Sequence, residues 1–124
     1  MIEIEQAREL LARAVEVQGK DFVYNPGGAE YCRYRPATQA EVFSADDPRL
    51  KTGCVVGEAL ALGGETRHRE YRGSVHGLRD DFPEALSAKA ADYLQRAQTT
   101  QDGGGTWGEA LEAAEAWYQQ NVKP

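Results

Sequence analysis

Four residues of this chain carry the side chains of nucleophilic or metal chemistry: Cys32, Cys54, His68 and His76. Cys54 opens an apolar segment that reads as a helix. A thiol in a first turn feels the helix dipole, which lowers its pKa and favours thiolate. With a histidine in reach, such a thiolate is a nucleophile. Free cysteine is also among the most buried residue types, and neither histidine stands in a recognisable catalytic motif. Cys54 is therefore read as a buried structural thiol. The four residues together have the atom types of a two-cysteine, two-histidine zinc site, but they are 22, 14 and 8 positions apart. The short brackets that mark such sites are missing. A Cys32–Cys54 disulfide is a further alternative. Two cysteines are too few for a disulfide framework, so the expectation is two reduced thiols. No catalytic residue, metal or cofactor is expected.

Arginines supply the second kind of chemistry. Residues 66–79 hold Arg67, Arg69, Arg72 and Arg79 against Glu70 alone, a local charge of +3 in a chain whose net charge is −6. Residues 80–124 carry −5. Guanidinium forks suit planar anions such as carboxylate and phosphate, and Tyr71 stands among them to stack or hydrogen-bond. Arg33 and Arg35 alternate with Cys32 and Tyr34 on a strand-like segment and add to the basic side where they face outward. The candidate binding residues are therefore Arg33, Arg35, Arg67, Arg69, Tyr71 and Arg72. The competing reading is a solvated loop, or internal pairing with acidic helices.

The elements that must position these groups follow from periodicity. Residues 3–18 predict a helix with Ile4, Ala7, Leu11, Ala14 and Val15 on one stripe and Gly19 closing it. Aromatic and β-branched residues flank Asn25-Pro26-Gly27-Gly28, the chemistry of a β-hairpin. Cys32 and Tyr34 are the inward pair, and Val42-Phe43 or residues near Val75 are candidates for a third strand. Residues 36–52 read as a surface connection. Thr52 is placed to cap a helix to about Leu62, apolar on nearly every side and so the centre of the core. Gly57 within it costs roughly 1 kcal/mol against Ala, and implies close approach of another backbone. Residues 64–80 read as a long polar loop. A helix then starts at Asp80 or Asp81 with Pro83 near its first position and reaches Gln98. Thr99–Gly105 reads as a glycine-rich hinge. Thr106 and Glu109 form a capping box for a last helix over 107–121. The sum is α+β: a single domain of about four helices with a small antiparallel hairpin or sheet.

One stretch resembles a known family. Cys32-Arg33-Tyr34 is followed by Gly53-Cys54-Val55-Val56-Gly57-Glu58-Ala59-Leu60 and then Leu62-Gly63. Over residues 7–63 this is similar to a family of small uncharacterised proteins of actinobacteriophages and their actinomycete hosts. Its members show a cysteine beside an aromatic, then Cys-hydrophobic-hydrophobic-Gly opening a helix that ends in Leu-Gly. Thr52-Gly53 stands where members have Pro-Ser, and Glu58 where they have histidine. The resemblance implies an origin and no activity.

Composition narrows the rest. The chain has 124 residues, fourteen bases against twenty acids, and 41% hydrophobic residues. That fits one domain and disfavours a whole-surface nucleic-acid binder. No apolar run approaches eighteen residues and Met1 leads directly into charged residues, so neither a membrane span nor a secretory signal is expected. Walker, dinucleotide, nucleophile-elbow and HExxH signatures are missing. The expectation is a non-enzymatic, cytoplasmic protein of phage or prophage type that binds a host or phage macromolecule, most readily a protein. Nucleic acid is the less favoured partner. The alternative is a small thiol- or metal-dependent enzyme centred on Cys54.

Overall fold

The computed structural model describes residues 1–24, 33–36, 38–41, 52–65 and 70–123. Among these there are five α-helices: α1 (Ile4–Gln18), α2 (Val55–Leu62), α3 (Val75–Asp81), α4 (Ala88–Asp102) and α5 (Trp107–Asn121). A single 3-10 turn covers Gln39–Glu41. The described residues contain no β-sheet, and the α+β expectation is overturned: their regular structure is helical.

The reason lies in where the hairpin's backbone groups go. Residues 25–32 are outside the described residues, but both flanks are tied elsewhere. Lys20 and Phe22 give their carbonyls to the N–H groups of Gly108 and Trp107, each at 2.8 Å, and Val23 bridges to Thr106. These bonds satisfy the orphan donors at the start of α5. On the other flank, the Arg33 carbonyl accepts from Cys54 N at 2.6 Å, and Arg33 bridges to Arg72. The aromatic segments are pinned to helix starts and a loop instead of forming a sheet. Val75, weighed as strand, begins α3; Val42-Phe43 lies outside the described residues.

α1 follows its apolar stripe, burying Ala7, Leu10, Leu11, Ala14 and Val15. Gly19 ends it at φ 106°, and its N–H bonds Val15 O. α2 is the centre of the core, with Val55, Val56 and Leu60 fully buried. Its N-cap is Cys54, whose own side chain makes no capping bond. Thr52 is buried and donates to the Gly53 carbonyl instead. Two other side chains take the leading N–H groups: Glu58 of α2 itself accepts from Gly53 N at 2.7 Å, and the remote Gln101 Oε1 from Val55 N at 2.8 Å.

The long polar loop expected over 64–80 turns into helix α3 from Val75 onward. Ser74 caps α3 by accepting from Gly77 N, and Val75 and Leu78 bury its short apolar face. Pro83 lies in the turn after α3, not in a helix. α4 starts at Ser87, whose hydroxyl accepts from Ala90 N, and continues to Asp102 through most of the expected hinge. Its buried stripe is Ala90, Tyr93, Leu94 and Ala97. Leu86, expected on that stripe, sits in the preceding turn and bridges to Ile2. Both halves of the Thr106–Glu109 capping box are present on α5. Buried residues of α1, α2, α3, α4 and α5 join in one hydrophobic cluster.

Candidate functional site

Tyr34 anchors the region that holds the arginines. Its side chain is fully buried, and its hydroxyl donates to Gln98 Oε1 at 2.8 Å. Its ring meets Tyr71 edge-on, with centroids 5.3 Å apart. Burial pushes the Tyr34 hydroxyl well above its ordinary pKa, so it stays a neutral donor. Tyr71 in turn donates to the Ser74 carbonyl at 2.9 Å. Anchored this way, the chain presents Arg33 and Arg35 beside Arg72, which the Arg33–Arg72 bridge brings alongside.

Three guanidinium groups there share two carboxylates. Glu41 Oε1 accepts from Arg35 Nη1 at 2.8 Å, and Glu41 Oε2 from Arg33 Nη1 at 3.2 Å. Glu70 takes Arg35 as a fork, Nε to Oε1 at 2.9 Å and Nη2 to Oε2 at 3.0 Å. Arg72 reaches Glu41 only at 3.7 Å and is half exposed. Arg35 chiefly, then the Thr38 backbone N–H and Arg33, hold the Glu41 carboxyl far below the usual carboxylate range. Arg35 likewise lowers Glu70. Arg33 is buried, and its Nε has no hydrogen-bond partner among the described residues. Arg33, Arg35, Glu70, Tyr71 and Arg72 line one narrow crevice.

Four of the six expected binding residues thus come together: Arg33, Arg35, Tyr71 and Arg72. Arg67 and Arg69 lie outside the described residues, as do Cys32 and His68. Among the described residues, Arg33, Arg35 and Arg72 pair internally with Glu41 and Glu70 and not with the acidic C-terminal helices. The role of Glu41 was not legible: Arg33, Arg35 and Thr38 are only three to eight positions away, but no helix or strand period marks that they converge on it.

Cys54 corrects a second expectation. It is disulfide-bonded, not a reduced thiol, and Cys32 is the other cysteine in the sequence. A sulfur so bonded is neither a thiolate nucleophile nor a thiolate metal ligand. His76 Nε2 lies 2.7 Å from Asp92 Oδ1 on the surface. Among the described residues, no cluster of three or more His, Cys, Asp or Glu is placed to hold a metal ion. No helix there is long and apolar enough to cross a membrane. No family model, curated protein or solved structure matches the chain.

Proposed function

We propose that this chain is a non-enzymatic binding domain that engages an acidic segment of a host or phage protein through Arg33, Arg35 and Arg72. The supporting observation is the imbalance of the cluster among the described residues: three guanidiniums on two carboxylates, with the half-exposed Arg72 barely engaged. Glu70 has a highly exposed side chain. A partner's carboxylate that displaces it gains the same fork on Arg35 and a full ion pair with Arg72. Arg67 and Arg69, close to Glu70 in sequence, belong to the same basic stretch. The phage or prophage origin rests on the family resemblance. The cytoplasmic location belongs to this reading too, and the Cys54 disulfide is its counterweight, because such bonds persist mainly in oxidising compartments.

The test is titration with a glutamate-rich peptide and, separately, a duplex oligonucleotide, at low and high salt. The peptide should bind, more weakly as salt rises, and Arg72→Ala should weaken it roughly tenfold, the loss expected for one charge-assisted bond. Melting should be nearly unchanged in that variant, since an exposed ion pair contributes little. Arg72-dependent binding of the duplex but not the peptide would transfer the site to nucleic acid. Binding of neither would end the proposal.

A further inference from the structure

A second face of the molecule has no part in the arginine cluster. His76 of α3, Asp92, Arg96 and Thr99 of α4, and Trp117 of α5 line a cavity of about 280 Å³. Arg96, Thr99 and Trp117 also line an adjoining cavity of about 470 Å³ that runs along α4 and α5 to Gln120. Each is of the order of a small-ligand pocket.

The charges in this groove are sorted in an informative way. Asp92 stands four residues before Arg96 on the same helix, the spacing at which a carboxylate normally pairs with a basic residue. Here Asp92 is bound to His76 instead, at 2.7 Å. Among the described residues Arg96 has no hydrogen-bond or ion-pair partner, and it is exposed at the junction of the two cavities. Beside it lies Trp117, half-buried and packed on the core, so its ring is held by the fold while part of it lines the groove. Thr99 offers a hydroxyl whose oxygen already accepts from Gln95 Nε2 at 3.2 Å, leaving its proton to donate.

From this arrangement we infer that the α3–α4–α5 groove binds a small molecule made of a flat aromatic ring and an anionic group. The ring packs on Trp117, the anion takes the uncommitted Arg96 fork, and the Thr99 hydroxyl donates to the same anion. The His76–Asp92 pair has the separate task of keeping Asp92 away from Arg96. A cationic ligand is disfavoured by Arg96, and a purely aliphatic one leaves that guanidinium unused.

Indole-3-acetate is a suitable probe, with tryptamine as its cationic counterpart, followed by two-dimensional amide NMR of the full chain. The acid should bind with a Kd of roughly 0.1–1 mM and shift amides around Arg96 and Trp117; tryptamine should not. Arg96→Gln, at an exposed position, should weaken the acid at least about fivefold. Trp117→Phe, which keeps an aromatic ring on the core, should weaken it less. Equal binding of acid and amine, binding indifferent to Arg96→Gln, or no shifts up to about 10 mM would each overturn the inference. Arg72→Ala should leave these shifts unchanged, which separates this site from the arginine cluster.

Discussion

Gly57 has the backbone of Tyr34 pressed against its α-carbon: a side-chain carbon built there would lie 2.6 Å from Tyr34 Cα and 2.7 Å from its carbonyl carbon. Gly53 faces the same segment, with Tyr34 O at 2.7 Å. Two glycines therefore form the seat on which the buried tyrosine segment rests. A helix with a larger residue at 57 would push away Tyr34, and with it Arg33 and Arg35.

That seat predicts an inverted helix-propensity effect. Gly57→Ala should gain about 1 kcal/mol from propensity, yet lose more from overpacking, typically about 1–3 kcal/mol and sometimes beyond. The obstacle is backbone and has no flexible end to move aside. Urea denaturation should show a net loss of up to about 2 kcal/mol. A more stable variant would mean that Tyr34 does not rest on α2.

The close approach to Gly57 was legible because a glycine inside an otherwise apolar helix needs a reason. So were α1 from its apolar stripe, α2 from its apolar run, and α5 from its stripe and its Thr106–Glu109 capping box. The hairpin was misread because Phe22, Val23 and Tyr34 have strand-like side chains, while the partners of their backbones are the starts of α5 and α2, far off in sequence. α3 was hidden because seven residues with Gly77 inside show almost no period. A side-chain carbon at 77 would meet the Tyr71 hydroxyl, the far end of a side chain that would have to shift. At the candidate site, the arginines were visible as a charge anomaly. Glu41, which binds two of them, sat in an unremarkable connection.

The Gln101 side chain offers a test of remote capping. Its Oε1 accepts both Val55 N at 2.8 Å and the buried Trp107 Nε1 at 3.1 Å. Gln101→Leu keeps much of the volume and strands two buried donors, each costing about 1–3 kcal/mol. The expected loss is at least about 2 kcal/mol in chemical denaturation. A loss under about 0.5 kcal/mol would show that neither bond holds α2 and α5 together.

Acid should destabilise the fold through a second network. Arg8 binds Glu115 at 2.7 Å and Glu5 at 2.9 Å and lies 3.8 Å from the centre of the Tyr118 ring. Tyr93 and Tyr118 donate to Glu115 and Glu5, each at 2.6 Å. Arg8 chiefly lowers Glu115, and Tyr118 chiefly lowers Glu5, from the ordinary 4.5. Carboxyls lowered in the folded state add stability that is present above 4.5 and lost as pH falls through the folded values. Asp102, raised by burial, works the other way, but Glu41 and Glu70 side with Glu5 and Glu115. The melting temperature should therefore drop steadily below about pH 4.5, and Glu115→Gln should make that drop shallower. A midpoint that stays flat from pH 5 to 3 would contradict the network.

The disulfide at Cys54 is the last feature open to direct measurement. Cys54 is fully buried at the N-cap of α2, with its N–H on the Arg33 carbonyl. A cross-link there ties the arginine-bearing segment to the core and limits how far the unfolded chain can spread. Closing a loop of this order, with 22 positions between the two cysteines, is worth about 3 kcal/mol on the chain-entropy account. The native protein should resist a thiol reagent, then gain two reactive thiols once unfolded in reductant. Reduction alone should lower stability by about 3 kcal/mol, and glutamate-rich peptide binding should weaken along with it, because Arg33 and Arg35 lose their tether. Two thiols that react in the untreated native protein would restore the reduced pair and, with it, a thiol-centred chemistry at Cys54.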